Sequence, residues 1–275
     1  MPGCRHTSLM NKITFLKSAV ALAVTIGLNA ILVCPAFAAQ DPGKSQYYEL
    51  RVYTTKSEQQ QKLVSDYWQN AAVPACNRLG IQPIGVFTEL EDSPTNKIYV
   101  LIPYDSADMI ATVPSRLAAD AEYQKAGADY LNVPKSDPAY VRFQSSLLIA
   151  MDGMKRLQAP PSAAEKKPWI FELRTYESRS ETSGINKVQM FNAGEIPLMQ
   201  EVGLSPVFFS QTVVGTQMPN LVYMVSGENR EEHKKHFSAF SASPVWKKLS
   251  ADPQYKDNVS KIVSVFLKRT PASQL

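Results

Sequence analysis

A five-residue motif that occurs twice constrains the fold of this 275-residue chain more than any other feature. Glu49-Leu50-Arg51-Val52-Tyr53 returns as Glu172-Leu173-Arg174-Thr175-Tyr176, at an offset of 123 residues, the difference between 172 and 49. At the same offset, Val73-Pro74 falls on Ile196-Pro197. Because a register held without a gap over roughly seventy residues is improbable by chance, the sequence predicts two tandem copies of one folding unit.

The first 38 residues have the pattern of a signal peptide. Arg5, Lys12 and Lys17 precede an apolar run over 18–33, and Ala36-Phe37-Ala38 supplies the small residues that a signal peptidase requires. We therefore expect export to the periplasm or the extracellular space, with cleavage after Ala38.

The apolar run is shorter than the roughly 20 residues that cross a bilayer as a helix. No other segment of the sequence reaches that length, so we expect no membrane span after cleavage. Lipoprotein processing at Cys34 is the alternative, and it is disfavoured because Val33 stands where a small residue is expected.

The charge and cysteine content of the mature chain differ from those of the whole sequence. Removing the three basic residues of the signal leaves 26 Lys and Arg against 25 Asp and Glu, so the net charge falls from +4 to +1. This balance argues against a nucleic-acid partner, which requires a concentrated basic patch. Cys76 is the one cysteine after Ala38, so no internal disulfide is expected.

The residue pattern divides the mature chain into repeat 1 (46–152), a linker (153–168) rich in proline and lysine, and repeat 2 (169–270). Repeat 1 carries eight extra residues between about Gly127 and Pro138, where the offset falls from 123 to 115. Each copy reads as βαββαβ, which predicts an α+β, ferredoxin-like unit with both helices on one face of a four-stranded antiparallel sheet. We expect the two open sheet faces to pack together within the chain as a pseudo-dimeric α+β barrel.

Local signals predict the limits of the helices in copy one. Ser57 is typical of a helix N-cap and Gly80 of a helix end. Pro74 should bend or restart the first helix because proline removes a backbone hydrogen bond. The second helix, over 105–125, is expected to be interrupted near Pro114.

The first strand offers a candidate site. Glu49, Arg51 and Tyr53 share one face, and Leu50 and Val52 share the other. If the apolar residues pack under the helices, the polar trio points into the barrel interior. The second copy adds the equivalent residues: Glu172, Arg174 and Tyr176.

Two interpretations of this interior pocket remain open. In one, arginine orients a small hydrophobic or anionic ligand and glutamate or tyrosine handles a proton. In the other, the residues form a buried ion-pair network that only supports the fold, because a buried charge without a partner is costly. The sequence favours the second interpretation.

Few other residues point to chemistry. His233 and His236 are the two histidines of the mature chain, and the charged residues around them predict a solvated helix face. We therefore expect no metal site and no cofactor, and the scarcity of histidine weighs against haem. Cys76 is expected to be a buried thiol.

The motif Tyr48–Tyr53, the helical stretch with Val73-Pro74, and the run Ser115–Tyr123 together resemble the NIPSNAP family. The resemblance covers nearly the whole mature chain twice, and it implies a dimeric α+β barrel of ferredoxin-like units. The superfamily also contains haem-degrading and quinone-forming monooxygenases. A Lys-Pro-Gly turn usually follows the first strand in this family, whereas this chain has Thr54-Thr55-Lys56-Ser57 and Glu177-Ser178-Arg179-Ser180.

The resemblance implies a fold more than a reaction. The favoured hypothesis is an exported, non-enzymatic binding or interaction protein. The alternative is a small-molecule monooxygenase, or a protein that binds haem or another small ligand, with the barrel interior as its site. Whether the protein is an enzyme and what oligomer it forms are left open by the sequence.

Overall fold

The structure is a computed structural model that describes residues 1, 3, 43–90, 96–165 and 167–275. Apart from Met1 and Gly3, the predicted signal peptide and its cleavage site lie outside these described residues. None of the helices in the described part of the chain is long and apolar enough to span a bilayer.

Both copies follow the predicted order of elements. Copy one consists of β1 (Tyr47–Thr54), α1 (Glu58–Tyr67), α2 (Val73–Arg78), β2 (Gly85–Glu89), β3 (Lys97–Tyr104), α3 (Ala107–Ala118), α4 (Ala121–Ala126), α5 (Ala128–Leu131) and β4 (Arg142–Ala150). The short helix α6 (Ser162–Glu165) lies in the predicted linker. Copy two consists of β5 (Ile170–Glu177), α7 (Glu181–Met190), α8 (Ile196–Glu201), β6 (Pro206–Val214), β7 (Asn220–Gly227), α9 (Arg230–Ala242), α10 (Pro244–Ala251) and β8 (Lys261–Arg269).

A π-helical segment of five residues interrupts the first long helix of each copy. Trp68–Ala72 joins α1 to α2, and Phe191–Glu195 joins α7 to α8. Pro74 and Pro197 follow in the first turn of α2 and α8. Since proline cannot donate the helical hydrogen bond, the wider π turn lets the helix continue past it. The bend expected at Pro74 is therefore a π segment that precedes the proline in both copies.

The ends of this helix follow the predicted signals. The Ser57 hydroxyl accepts a hydrogen bond from the Gln60 amide at 3.2 Å, which caps α1. Gly80 and Gly203 have φ values of +78° and +85°, a left-handed conformation that glycine adopts without strain. Each glycine ends the helix at the same position of its copy.

The expected interruption near Pro114 is wrong in position. Pro114 lies inside α3, and the helix ends only at Ala118. Asp120 then starts a new helix, because its side chain accepts a hydrogen bond from the Tyr123 amide at 2.9 Å. The break is thus set by an aspartate cap rather than by the proline.

The eight strands form one closed barrel in the order β1-β3-β2-β8-β5-β7-β6-β4. Antiparallel pairing joins the copies at two seams. Phe87–Glu89 of β2 pairs with β8, and Leu147–Ala150 of β4 pairs with β6. The structure therefore confirms two predictions: the mixed α and β fold class, and the pairing of the two copies within one chain. The sheets of the two copies are joined along their edges into a single closed sheet. Their inner faces therefore face each other across the barrel interior.

Three apolar cores lie around this sheet. The barrel-interior core combines residues of both copies, among them Tyr48, Phe87, Phe171, Phe208 and Leu267. The other two cores lie between the outer face of the barrel and the helices, one in each copy. Every strand of the barrel is therefore covered on its outer face by helices or on its inner face by the opposite wall.

Candidate functional site

The predicted site residues lie on the opposite face of the strands from the one expected. Leu50 and Val52 belong to the barrel-interior core, whereas Tyr53 packs with Val64 and Trp68 beneath the helices. The expectation that the polar trio points into the barrel is therefore wrong. The physical reason is that both faces of the strand are covered, and the helix side supplies hydrogen-bond partners for charged groups.

The two trios do not meet in one space. β1 and β5 occupy opposite positions in the ring of eight strands, each separated from the other by three strands on either side. Tyr53 belongs to the helix-side core of copy one, and Tyr176 packs in that of copy two. Each trio must therefore be considered with the helices of its own copy.

In copy one the carboxylate of Glu49 is fully occupied by hydrogen bonds. Arg51 donates two, at 2.5 and 3.0 Å, Ser145 donates one at 2.6 Å, and Tyr104 donates one at 3.1 Å. The Arg51 guanidinium lies 5.9 Å from the Trp68 ring centre. These contacts form a network of one ion pair and two hydroxyl groups on the helix side of the sheet.

In copy two the equivalent carboxylate has a different set of partners. Arg174 donates to Glu172 at 2.6 Å, and the Nε2 atom of His233 lies 2.8 Å from its second oxygen. Ser264 donates a short hydrogen bond to the first oxygen. Arg174 also donates to the Tyr176 hydroxyl at 3.2 Å. All three residues of the copy-two trio are thus linked to one another and, through Glu172, to a histidine.

The expectation of a solvated His233 is wrong, because only 3% of the residue is exposed. His233, Phe237 and Phe240 are spaced along one side of α9, and this side faces the sheet. The Nδ1 atom of His233 has no hydrogen-bond partner within the described part of the chain. It lies against Gly227, where an added Cβ would be 3.4 Å away.

Two residue differences between the copies explain why His233 is buried against Glu172. At the offset of 123 residues, Tyr104 corresponds to Gly227 and Ile110 corresponds to His233. In copy one the tyrosine hydroxyl binds the glutamate. In copy two the glycine leaves room for the imidazole, and the histidine takes over that hydrogen bond. Comparing the two copies position by position would have placed His233 on the buried side of its helix.

A pocket of about 380 Å³, which we call the copy-two pocket, opens beside this network. Its lining combines charged and aromatic side chains: Glu172, Arg174, Arg230, His233, Lys234, Phe237 and Phe266. Two rings form its apolar walls. The His233 ring centre lies 5.0 Å from that of Phe237 and 5.6 Å from that of Phe266. The volume falls within the roughly 300–1,000 Å³ typical of small-molecule sites.

The lining of the copy-two pocket is predominantly positive. It contains three permanently basic side chains and a single carboxylate, and that carboxylate is already hydrogen-bonded to three residues of the protein. Arg230 and Lys234 correspond to Ala107 and Ala111 in copy one. The positive charge is therefore a property of copy two, and the sequence analysis missed it because it took the candidate site from the first strands alone.

The electrostatics of the network keep the site charged. Burial, the largest single influence, would raise the pKa of Glu172, but the hydrogen bonds with His233 and Ser264 and the charge of Arg174 together outweigh it and lower the pKa. Burial works against the charged form of Arg174, yet Tyr223, Tyr176 and Glu172 raise the pKa of its guanidinium. Burial, the largest single influence, would also raise the pKa of Glu49, but Arg51, Ser145 and Tyr104 together outweigh it and lower the pKa.

The remaining candidate groups do not add to this site. In the described ranges there is no cluster of three or more His, Cys, Asp or Glu residues able to hold a metal ion. His236 packs against Gly203, where an added Cβ would lie 3.2 Å from its Nε2 atom. Cys76 is buried as a free thiol, and burial raises its pKa to about 11.

A closed barrel built from two copies of one unit, with helices on its outside, defines the class of tandem α+β barrel proteins. The NIPSNAP family profile matches residues 48–149 and 171–274, one match for each copy. The chain therefore belongs to the NIPSNAP family. No curated protein is detectably similar to it in sequence.

Two solved structures match most of this chain at low sequence identity, and a third matches about one copy. A candidate monooxygenase from Lactobacillus acidophilus NCFM has a TM-score of 0.55 at 9% identity, covering 84% of this chain and 97% of its own. A second candidate monooxygenase, from Fusobacterium nucleatum, has a TM-score of 0.50 at 8% identity, covering 82% and 93%. A NIPSNAP-like domain protein from Burkholderia xenovorans covers 36% of this chain and 83% of its own, at 19% identity and a TM-score of 0.32. At these identities the first two similarities establish a shared fold alone.

Proposed function

We propose that this chain is an exported binding protein whose copy-two pocket holds a small organic anion with a flat apolar part. The observation that carries the proposal is the position of two basic side chains, Arg230 and Lys234, beside two aromatic walls in a pocket of ligand size. The equivalent positions of copy one hold alanines.

The charge of the pocket favours an anion. Glu172 is bound by Arg174, His233 and Ser264, so its negative charge is already compensated within the protein. Arg230 and Lys234 add two further basic groups to the lining, and charge-assisted hydrogen bonds to a carboxylate or phosphate are stronger than neutral ones.

The aromatic walls favour a flat apolar portion in the ligand. Phe237 and Phe266 both line the pocket. The guanidinium of Arg174 lies 5.1 Å from the centre of the Phe237 ring, and that of Arg230 lies 4.4 Å from the centre of the Phe266 ring. These cation–π contacts hold the arginines along the walls, so that a planar ligand would pack against the aromatic walls with its charge toward the basic groups.

The arrangement of His233 supports binding rather than catalysis. A general base must present a free nitrogen to its substrate. The Nε2 atom of His233 is taken by Glu172 at 2.8 Å, and its Nδ1 atom faces Gly227. The histidine therefore positions Glu172 and leaves no nitrogen directed at a bound molecule.

Titration of the mature protein with benzoate and phenylacetate, followed by isothermal calorimetry, tests the proposal. The uncharged analogue benzyl alcohol should bind more weakly than either acid. Replacing Arg230 and Lys234 by the alanines of copy one should weaken binding of the acids about tenfold to a hundredfold, the effect of losing one or two hydrogen bonds to a charged group.

A matched control is available on the same helix. Lys235 neighbours Lys234, but it is exposed and paired with Glu232 at 2.6 Å. Lys235→Ala should leave the affinity unchanged. Equal binding of benzoate by the wild type and by the Arg230→Ala/Lys234→Ala variant, or no preference for acids over the alcohol, would contradict the proposal.

The alternative function, a small-molecule monooxygenase or a protein that binds haem or another small ligand in the barrel interior, receives less support for a ligand as large as haem. Side chains of both copies fill most of that space, and the pocket that remains at one end has about 200 Å³. This is below the roughly 300 Å³ at which drug-sized ligands begin to fit, so a macrocycle such as haem has no room there.

Export and the two-unit architecture complete the proposal. The basic start, the apolar run and Ala36-Phe37-Ala38 support secretion with cleavage after Ala38. Apart from α5, which only copy one has among the described residues, the two copies share one order of helices and strands, and this supports two ferredoxin-like units that arose by duplication. Mass spectrometry of the protein from the cell envelope or the medium should show a chain that starts at Ala39. A lipid-modified start at Cys34 would instead establish the lipoprotein alternative.

A further inference from the structure

The inward side chains of the barrel change in size along its axis. At one end, aromatic residues fill the interior, with ring centres 5.2 Å apart for Tyr48 and Phe208 and 4.8 Å apart for Phe87 and Phe171. Farther along the same strands, the inward positions hold small residues. These positions include Val52, Ser146, Thr175, Val263 and Val265.

The small residues leave a pocket of about 200 Å³, which we call the barrel-end pocket. Its apolar lining comes from both copies: Leu50, Val52, Tyr99, Leu173, Val222, Val263 and Val265. Hydroxyl and amide side chains form the rest of the lining: Gln144, Ser146, Thr175, Thr212, Thr216, Gln217 and Asn220. Among the lining residues of the described chain, Lys97 is the charged one.

The polar part of this lining is held in place by the turn between β6 and β7. Thr212 donates to Asn220 at 2.5 Å, and Asn220 donates to the backbone oxygens of Thr216 and Gln217 at 2.9 and 3.0 Å. These bonds fix the turn beside the pocket, so the opening is a preformed feature of the barrel.

The pocket opens to solvent at its outer end, because Gln144, Gln217 and Val263 of its lining are exposed. Its inner end is lined by buried apolar residues, among them Leu50, Leu173 and Val222. A small ligand can therefore enter from solvent and bury its apolar part inside the barrel.

We propose that the barrel-end pocket is a ligand site for a straight-chain monocarboxylate of four or five carbons. The hydrocarbon chain lies on Leu50, Leu173 and Val222, and the carboxylate lies toward Lys97. The length follows from the volume, because water occupies roughly 30 Å³ per molecule in the liquid and the pocket therefore holds about six or seven non-hydrogen atoms. Butanoate and pentanoate have that size.

This site is independent of the copy-two pocket. The barrel-end pocket lies on the inner face of the sheet, where Leu173 points, and the copy-two pocket lies on the outer face, where Glu172 and Arg174 point. Variants of the two pockets therefore test two separate proposals, and failure of one leaves the other standing.

The test is a titration of the mature protein with sodium carboxylates from acetate to octanoate, followed by NMR. Affinity should rise about threefold to fourfold for each added methylene up to pentanoate, which is the value of one buried methylene. It should then fall for octanoate, whose chain is longer than the pocket. An affinity that rises steadily to octanoate, or that does not depend on chain length, would overturn the proposal.

Two filling variants and one charge variant locate the binding. Val265→Phe should weaken pentanoate binding about tenfold or more by occupying the space. Thr175→Leu is a smaller filling change that serves if the first variant does not fold. Lys97→Gln should weaken pentanoate about fivefold, as for a partly exposed charge pair, and leave pentanol binding unchanged. Arg230→Ala/Lys234→Ala should bind pentanoate as the wild type does. Unchanged pentanoate affinity in a folded filling variant would refute the site.

Discussion

Replacing Lys187 by methionine should destabilise this protein more than an ordinary core substitution. Lys187 donates to Glu195 at 2.5 Å, and the two side chains are only 5% and 2% exposed. The ammonium group lies 5.0 Å from the Phe191 ring centre and 5.8 Å from that of Trp246. The substitution leaves a buried carboxylate without its counter-charge in an aromatic environment.

The size of the effect follows from the burial of the pair. Removing one partner of a buried ion pair costs about 3–5 kcal/mol, whereas replacing both by apolar groups is often neutral or stabilising. For a domain of this size, one kcal/mol changes the melting temperature by about 2–4 °C, so Lys187→Met should lower it by roughly 6–20 °C. Lys187→Met/Glu195→Leu should recover most of this loss.

Copy one has apolar residues at the positions equivalent to this ion pair. At the offset of 123 residues, Lys187 and Glu195 correspond to Val64 and Ala72 of copy one, and both of these are buried. The two copies therefore build the same helix with and without the ion pair. This comparison supports the double substitution as one that the fold can accommodate.

Urea denaturation and calorimetry of the wild type, both single variants and the double variant give the coupling energy of the pair. Burial raises the pKa of Glu195 even beside Lys187. A carboxyl whose pKa is raised by folding is stabilising at low pH and loses that contribution as the pH rises. The penalty of Lys187→Met should therefore be larger at pH 8 than at pH 5. A loss below about 1 kcal/mol, or a double variant as unstable as the single one, would refute the reasoning.

Three further predictions concern the candidate site and its surroundings. His233→Ile removes a hydrogen bond that lowers the pKa of Glu172. Because the stability contributed by this carboxylate is lost as the pH falls through its folded pKa, the midpoint of acid unfolding should move to higher pH. An unchanged midpoint would contradict the hydrogen-bond network. Gly203→Ala should lower the free energy of unfolding in urea by about 1–2 kcal/mol, because φ at this position is +85° and the added Cβ meets His236. An unchanged free energy would show that the backbone relaxes. Cys76, whose pKa is raised to about 11, should react with a thiol reagent at pH 8 only in denaturant, and rapid labelling of the native protein would disprove its burial.

The order of helices and strands could be predicted from the sequence because the two copies can be aligned with each other. The 123-residue offset holds for the first residues of β1 and β5, α1 and α7, β3 and β7, and α3 and α9. Ser57 and Gly80 fixed the helix ends through local hydrogen bonding and backbone geometry. These features depend on neighbouring residues only, so the sequence contains the information for them.

The direction in which the strands face could not be read in the same way. On β1 both Glu49 and Leu50 are buried, at 7% and 8% exposure, so the alternation of polar and apolar residues does not identify the helix side. The deciding contacts are distant in the chain, since Tyr104 and Ser145 supply the hydrogen bonds that make the outer face suitable for a carboxylate. A single strand contains no trace of these partners.

The divergence of the two copies indicates where a ligand can be recognised. Both copies have the same glutamate–arginine pair under their helices, whereas the groups around the pair differ. Copy one closes its network with Tyr104 and adds α5, whose Tyr130 stacks on Tyr67 with ring centres 3.8 Å apart. Copy two instead has a pocket beside the network. Because one copy supplies structural support to the shared barrel, the other can accept a polar histidine and an open, positively charged pocket without losing the fold.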